Sequence, residues 1–245
     1  MKHLVSTVVI VFFSATAAGD VLSVHCPLGC PSVAIGNDVV FGHVYALSNN
    51  PDTKFADWVA YEVNVLNFGP SPGRVWKADP LIEGDKTLEE DDYRGANASA
   101  LEADRGHQAP LASFAGSHYW PELNYLSNIT PQDRDLNQGP WLGLEEAVRN
   151  AVSYGNSLYV ITGPLYVLSM ITLPNADEPH LVPSGYFKVV YDKDRLGAGF
   201  VMQQNVDRGK DYCETKDSLL DIEALSGVKL PLLIESSIIY QRLGC

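Results

Sequence analysis

The stretch W-V-A-Y-E-V-N-V-L, at Trp58–Leu66, is the clearest β-strand signature of the chain. Every second residue from Val59 to Val65 is β-branched or aromatic, which is the two-residue period of a strand with a buried face. Similar short β-rich runs recur along the chain with few helical periods between them, and this predicts a mostly antiparallel sheet. These runs are Asp38–Leu47, Leu158–Thr162, Tyr186–Tyr191 and Gly199–Gln203.

The clearest helical signal covers Pro140–Tyr154. Gly139 and the proline mark its start, because proline is tolerated in the first turn, where its missing N–H costs nothing. Leu144, Val148 and Val152 recur at four-residue intervals and form an apolar stripe. The sequence therefore predicts that this face of the helix points inward.

The rest of the chain reads as one ordinary globular domain. A second helix is predicted over Asp217–Leu225, ended by Gly227, and the acidic stretch Asp79–Asp92 is predicted to be a surface loop. With 46% hydrophobic and 19% charged residues, the chain has the composition of an ordered protein. No linker or internal repeat divides it.

The first 18 residues have the pattern of a secretory signal peptide. A lysine at position 2 precedes the apolar run Leu4–Phe13, and the small residues Ala15–Ala18 follow. This run is too short to cross a bilayer of roughly 30 Å as a helix, and no later segment offers about 18 consecutive apolar residues. We therefore expect an exported protein, extracellular or periplasmic in transit, whose domain spans residues 19–245.

All four cysteines lie in the mature region, Cys26 and Cys30 near its start and Cys213 and Cys245 near its end. An even number of cysteines in an exported chain favours disulfides over a metal site. Three pairings are possible, of which we favour the local pairs Cys26–Cys30 and Cys213–Cys245. A zinc site is disfavoured because His25 is the one histidine near any of these cysteines.

The formal net charge is −13 at pH 7, and −14 once Lys2 is removed with the signal peptide. Proteins that bind polyanions usually carry a basic surface, so this charge argues against a nucleic-acid partner. Arginines and a metal ion in a cleft can still attract a polyanion locally, because fields focus in clefts. We expect an acidic surface adapted to salty surroundings, where long-range repulsion is screened.

Four polar residues supply what the hydrolysis of a phosphodiester needs. A water must lose a proton as it attacks phosphorus, and neutral His107 suits that role near neutral pH. Arg105 can meet the negative charge that gathers around phosphorus. Asn137 and Glu145 offer hard oxygen atoms for a divalent ion that stabilises the departing oxygen. The set predicts metal-assisted phosphodiester hydrolysis.

The spacing of Asn137 and Glu145 divides their roles. On an uninterrupted helix eight residues span about 12 Å, too far for both to bind one ion directly. Pro140 allows Asn137 to precede the first turn, so we expect Asn137 to bind Mg²⁺ directly, with Mn²⁺ as an alternative, and Glu145 to hold one of the ion's waters. Capping of the helix competes for the same oxygen of Asn137, and the sequence favours the metal.

An ordered set of motifs resembles the ββα-metal, or His-Me finger, nonspecific endonucleases, and most of all the secreted Serratia-type nucleases. The match runs with gaps from about Cys26 to Cys245, around D-R-G-H-Q-A-P-L-A-S at Asp104–Ser113. The order of the motifs makes the resemblance specific, since D-R-G-H alone is a moderate signal. The other motifs are V-A-Y-E-V (Val59–Val63), R-V-W-K-A-D-P (Arg74–Pro80), Y-R-G-A-N-A (Tyr93–Ala98), L-N-Y-L-S-N-I-T-P-Q (Leu123–Gln132), L-N-Q-G-P-W (Leu136–Trp141), L-E (Leu144-Glu145) and T-G-P-L-Y (Thr162–Tyr166).

The resemblance implies a role for each matching residue. His107 would be the general base, Asn137 the sole direct protein ligand of Mg²⁺, and Glu145 the partner of a metal-bound water. Arg105 and Arg74 would contact phosphate and stabilise charge in the transition state. DNA and RNA, single- or double-stranded, would be cut to products with a 5′-phosphate and a 3′-hydroxyl.

Three further residues match positions around this set. Arg149 matches an arginine that supports the site, although a plain ion pair with Glu145, four residues earlier, is an equally good interpretation. Asn124 and Asn128 match asparagines near the scissile phosphate. The resemblance also implies an α+β fold with a central six-stranded antiparallel sheet and helices on both sides, a homodimer, and two disulfides that agree with the local pairing.

Two other functions stay open from the sequence. One is a nuclease of the same fold restricted to DNA, and the other is a secreted nucleic-acid-binding homologue without activity. The presence of His107, Asn137 and Glu145 argues against an inactive homologue. We therefore expect a secreted, magnesium-dependent, sugar-nonspecific endonuclease with no membrane partner.

Overall fold

The computed structural model describes residues 21–245. The predicted signal peptide, residues 1–18, lies outside the described residues. The strands, in chain order, are β1 (Asp38–Phe41), β2 (Ala46–Asn50), β3 (Phe55–Val63), β4 (Ala103–His107), β5 (Ile129–Asp133), β6 (Leu158–Leu165), β7 (Gly185–Tyr191), β8 (Leu196–Gln203), β9 (Lys216–Asp217) and β10 (Ile234–Glu235). The α-helices are α1 (Arg134–Gln138), α2 (Pro140–Asn150), α3 (Leu219–Ser226) and α4 (Ser237–Arg242).

A large sheet forms the centre of the fold. Six of its strands, in the order β1-β2-β3-β6-β7-β8, are antiparallel throughout. The two-residue strands β9 and β10 both pair with β8, β9 antiparallel and β10 parallel. The expected six-stranded antiparallel sheet is confirmed, and two short strands that the sequence did not predict extend it at β8.

Helices cover both faces of this sheet, as predicted for the α+β class. On one face α2 and α4 bury Leu144, Val148 and Ile239 in the largest apolar core. On the other face α3 packs through Leu219 and Ile222. Removal of this apolar surface from water supplies the main driving force for folding, at roughly 25 cal/mol per Å².

The central strand β3 is buried on both of its faces, because helices cover both sides of the sheet. Val59, Tyr61 and Val63 face the α2 side, as their alternation predicts. Trp58 and Ala60, the residues between them, are buried in the second core on the α3 side. A strand with helices over both faces is apolar on both, and the largest aromatic residue of the stretch lies on the side opposite the predicted face.

Several predicted elements have different bounds in the structure. The helix predicted over Asp217–Leu225 is α3, Leu219–Ser226, and the strand predicted over Gly199–Gln203 begins at Leu196. The expected strand Asp38–Leu47 is a hairpin of β1 and β2, in which the Gly42 N–H donates to the Tyr45 carbonyl and turns the chain. The helix that begins at Pro140 ends at Asn150, because Ser153 pairs with Asn156 in a tight turn instead of continuing it.

The acidic stretch Asp79–Asp92 is more than a surface loop. Asp79 is buried and accepts a hydrogen bond from the Ser127 hydroxyl at 2.6 Å. Asp92 is also buried and accepts from the Glu89 N–H at 2.5 Å. Charged residues are buried only where they are paired. Asp79 therefore ties the segment to Ser127 in the rest of the domain, and Asp92 fixes a turn within the segment.

A second, two-stranded sheet carries the D-R-G-H stretch. In it β4 pairs antiparallel with β5, His107 opposite Ile129, and the chain runs from β5 into α1 and α2. At Gly106 a Cβ atom would lie 2.4 Å from Gln132 Oε1. Glycine is therefore required for the two strands to approach this closely.

This small ββα unit is fastened to the large sheet at β5. The Tyr186 hydroxyl of β7 donates to the Pro131 carbonyl at 2.9 Å, and Gln204 Nε2 donates to the same oxygen at 2.8 Å. Gln204 Oε1 accepts from the Asp133 N–H at 2.7 Å. The two bonds to Pro131 are buried, where a hydrogen bond also avoids the cost of an unpaired polar group. These contacts fasten the unit to β7 and to the end of β8.

The four cysteines form the two predicted local disulfides. Cys26 is bonded to Cys30, and Cys213 to Cys245. The second closes a loop of about thirty residues and ties the last residue of the chain to the domain. Within residues 21–245 no helix is long and apolar enough to cross a membrane.

Candidate active site

Five of the predicted site residues line a single cavity of about 840 Å³. The cavity is lined by β4 and the loop that follows it, by α1 and the start of α2, and by two segments at residues 74–76 and 90–97. Aromatic and further arginine side chains, among them Trp76, Tyr93 and Arg94, line it as well. Three predicted residues, Asn124, Asn128 and Arg149, lie outside its lining. The five that line it are Arg74, Arg105, His107, Asn137 and Glu145.

Backbone pairing brings the segment 74–77 to the long connection between β4 and β5. The Lys77 N–H donates to the Asn124 carbonyl at 3.1 Å, and the Leu126 N–H donates to the Lys77 carbonyl at 2.9 Å. This short parallel bridge aligns residues 74–77 with the turn that follows Asn124. Arg74 and Trp76 are thereby placed beside His107, although thirty residues of sequence separate them.

Asn128 closes the long connection between β4 and β5. Its side chain is fully buried, donates to the carbonyls of Ala109 and Leu123, and accepts from the Ala109 N–H at 2.8 Å. Every hydrogen-bonding direction of this amide points into the protein. Its observed contacts therefore support the loop that follows His107, not a ligand in the cavity.

His107 stands at the end of β4 with one ring nitrogen held. Nε2 lies 3.2 Å from Asn124 Oδ1, and the ring centroid lies 5.4 Å from that of Trp76. An amide oxygen only accepts, so Nε2 carries the hydrogen and the lone pair is on Nδ1. Burial lowers the pKa of His107 to about 4, and the nearby Arg74 charge acts in the same direction. The imidazole is neutral at neutral pH and can accept a proton.

Arg105 is held by aromatic rings and one carbonyl. Its guanidinium carbon lies 5.4 Å from the ring centroids of both Trp76 and Tyr93, distances at which a cation is attracted to a ring face. One Nη donates to the Glu90 carbonyl at 2.9 Å. Nε is buried and has no hydrogen-bond partner among residues 21–245. The side chain lines the cavity and places its positive charge there.

Asn137 presents one oxygen to the cavity. It lies in α1, and its Nδ2 donates to Asp104 Oδ2 at 2.9 Å, which fixes the orientation of the amide. Within the described part of the chain Oδ1 accepts no hydrogen bond. The residue before α2 is Gly139, and no side chain caps that helix. The capping interpretation of Asn137 is therefore wrong, and its oxygen is free for a cation.

Glu145 pairs with a lysine that the sequence reasoning did not identify. Its Oε1 lies 3.5 Å from Nζ of Lys188, a fully buried residue of β7. The ion pair with Arg149, one of the two interpretations of that arginine, is absent from the ion pairs among residues 21–245, although the Arg149 charge lowers the pKa of Glu145. Burial outweighs both cations and raises the pKa of Glu145 overall.

Oxygen ligands and cationic side chains thus line the same cavity. Asn137 and Glu145 supply an amide oxygen and a carboxylate, the ligand chemistry that Mg²⁺ prefers. Arg74 and Arg105 supply positive charge, and His107 supplies a base. Groups of all three kinds therefore line the same cavity.

A separate acidic cluster lies beside a second cavity. Four carboxylates whose oxygens lie within 4.8 Å of one another could hold a metal ion. None of them is a predicted metal ligand. Burial and the neighbouring Glu178 raise the pKa of Glu89, one of the four, to about 7. The four residues are Glu89, Asp92, Asp177 and Glu178.

Sequence reasoning missed Trp76 and Lys188. A signal for each is present in the chain. Trp76 follows Arg74 by two residues, and in an extended segment such residues point the same way. Lys188 is the one charged residue in the strongly apolar run Gly185–Tyr191, and a charge inside a buried strand indicates a specific partner.

Comparison with known proteins gives concordant matches. The family model for DNA/RNA non-specific endonucleases matches residues 28–233. The nuclease of Serratia marcescens is 43% identical over 224 residues, covering 88% of this chain and 84% of that protein. The nuclease of Nostoc sp. is 29% identical over 227 residues, covering 84% and 80%. A chain in the crystal structure of the EndoG/EndoGI complex has the same fold, with a TM-score of 0.71 at 22% identity over 86% of this chain and 91% of that one.

Proposed function

Because the chain belongs to the DNA/RNA non-specific endonuclease family, we propose that it is a secreted, magnesium-dependent endonuclease that cuts DNA and RNA alike. The observation that carries this is the cavity lined by a base, two arginines and two oxygen ligands. The two disulfides support secretion, since such bonds persist in oxidising compartments. Residues 19–245 would be the mature enzyme.

His107 is the general base in this proposal. A water in the cavity gives its proton to Nδ1, the nitrogen that Asn124 leaves free, as its oxygen attacks phosphorus. The bond from phosphorus to the 3′ oxygen breaks, and that oxygen takes a proton from a solvent water, which leaves a 5′-phosphate on one product and a 3′-hydroxyl on the other. The low pKa of His107 keeps Nδ1 unprotonated at neutral pH.

The arginines stabilise the charge that this attack produces. Arg74 and Arg105 line the cavity, where removal of water strengthens their attraction for a phosphate. Contacts to phosphate carry no base information, and this supports activity without sequence preference. Contacts to phosphate also do not distinguish ribose from deoxyribose, and this supports the cleavage of both RNA and DNA.

Asn137 and Glu145 fit a magnesium site. The donor set consists of hard oxygens, the Asn137 amide is oriented by Asp104, and its Oδ1 has no hydrogen bond within residues 21–245. Asn137 would hold the ion directly and Glu145 through a water. Magnesium, when bound, supplies positive charge for the phosphate and the departing 3′ oxygen.

The experiment is a cleavage assay on supercoiled plasmid, single-stranded DNA and RNA, with Mg²⁺ and with EDTA. We expect cleavage of all three substrates, its loss in EDTA, its return with excess Mg²⁺, and 5′-phosphates on the product ends. Cleavage of DNA alone would support the restricted nuclease, and binding without cleavage would support the inactive homologue. Activity that survives EDTA would contradict the magnesium role.

A pair of variants tests the ion site within the same assay. Asn137→Ala removes the proposed ligand, and Asn97→Ala removes another amide that lines the same cavity. We expect the first variant alone to lose cleavage. Equal activity of the two variants would contradict the assignment of Asn137.

A further inference from the structure

Lys188 is a charged residue in the apolar core beneath the cavity. It lies on β7, paired with β6 at Thr162 and with β8 at Phe200, and it has no exposed surface. Its neighbours on the same face of the strand, Tyr186 and Val190, are fully buried and belong to the α2-side core. Any apolar residue of similar length would fill this position at no electrostatic cost.

The ammonium group of Lys188 has few polar neighbours. Nζ lies 3.5 Å from Glu145 Oε1 and 4.0 Å from the ring centroid of Trp141. It makes no hydrogen bond to any residue from 21 to 245, although an ammonium has three donors. Burial lowers the pKa of Lys188 to about 8, against the attraction of Glu145.

Stability alone does not explain this arrangement. Taking an ion pair out of water costs several kcal/mol per ion, and the mutual attraction repays it only when further hydrogen bonds complete the pair. Replacement of such pairs by apolar residues is often neutral or stabilising. Among residues 21–245 the ion-pair partner of Lys188 is the carboxylate of Glu145, which lines the cavity.

We propose that Lys188 is a positioning residue for the metal site: its ammonium, seated on the Trp141 ring, holds the Glu145 carboxylate at the wall of the cavity that Asn137 also lines. The inference rests on the proposed function, because it assigns Lys188 a role through the proposed partner of the ion. Trp141 is almost fully buried, so it supports the lysine from below and does not itself meet a substrate. Mutation of a group that orients the ligands around a metal typically lowers metal affinity or activity about 10- to 100-fold.

Arg149 does not take over this role. It lies on α2 one turn after Glu145, and its Nη1 is buried without a hydrogen-bond partner among residues 21–245. No ion pair joins it to Glu145 in that part of the chain. Lys188 approaches instead from the opposite layer, the sheet, and thereby couples α2 to β7 at the cavity.

The direct test is metal binding without nucleic acid. Lys188→Met keeps the length of the side chain and removes its charge, and Val190→Ala is the control, a buried and uncharged residue of the same strand and face. Titration of each protein with Mn²⁺, followed by electron paramagnetic resonance, measures affinity. We expect Lys188→Met to bind 10- to 100-fold more weakly than Val190→Ala. Equal affinities within twofold, with both proteins folded by circular dichroism, would overturn the inference.

A double-mutant cycle covers the case in which Lys188→Met alone fails to fold. Glu145→Gln, combined with Lys188→Met, leaves no unpaired charge at this pair. If Lys188 acts through Glu145, the double variant cleaves plasmid as fast as Glu145→Gln alone. A further loss of tenfold or more in the double variant would refute the inference. A wild-type protein without magnesium-dependent cleavage would refute the proposed function instead, since Mn²⁺ affinity is measured separately.

Discussion

Asp104 orients the proposed metal ligand, and its removal tests how far the site depends on that orientation. Asp104 Oδ2 accepts from Asn137 Nδ2 at 2.9 Å and from Gln138 Nε2 at 2.8 Å. A hydrogen bond to a charged group contributes about 1.5–3 kcal/mol. If Asp104→Ala loses that contribution from the ion-binding state, the affinity for Mg²⁺ falls about 10- to 100-fold, since 1.4 kcal/mol is a factor of ten.

The assay is the cleavage rate as a function of Mg²⁺ concentration, together with Mn²⁺ binding in the absence of substrate. Gln138→Ala is the matched control, because it removes the other hydrogen bond to the same carboxylate and leaves Asn137 held. We expect the half-saturating concentration of Mg²⁺ to rise in Asp104→Ala and to stay within about twofold of wild type in Gln138→Ala. A half-saturating concentration that is equal in the two variants would refute the reasoning.

Three other outcomes follow from the structure. The rate should fall as pH drops through the pKa of His107, near 4, because only the neutral imidazole accepts a proton; an acid limb near 6.5 in the pH profile of kcat/KM would contradict this. Gly106→Ala would force a Cβ to within 2.4 Å of Gln132 Oε1. The free energy of unfolding should therefore fall by about 1–3 kcal/mol, and an unchanged Tm in thermal unfolding would be inconsistent with that packing. With a net charge of −13, cleavage should first rise with NaCl as long-range repulsion is screened; a steady fall from the lowest salt, as counterion release alone produces, would argue against it.

Much of the fold was predictable because its signals are local. The alternation around Val59 marks a strand whatever it packs against, and the apolar stripe of α2 gives the inward face of that helix. The two-residue strands β9 and β10 carry no such signal. Their pairing with β8 depends on the path of the chain around α3 and α4, which is a tertiary effect.

The candidate site divides in the same way. His107, Asn137 and Glu145 stand in motifs with characteristic spacing, and all three line the cavity. Lys188 reaches Glu145 only because β7 passes beneath α2, and Trp76 reaches His107 only through the backbone bridge at residue 77. Contacts between distant segments are fixed by packing, so single-sequence reasoning found the groups that do the chemistry and missed those that hold them.

The side chain of His107 is the most direct test of the whole account. Cleavage of plasmid DNA and of RNA should be measured side by side for His107→Ala and for His118→Ala, an exposed histidine that does not line the cavity. General acid–base catalysis contributes about 10²- to 10⁴-fold, so the first variant should lose at least that much on both substrates while the second keeps its activity. Retention of cleavage by His107→Ala on either substrate would mean that another group accepts the proton.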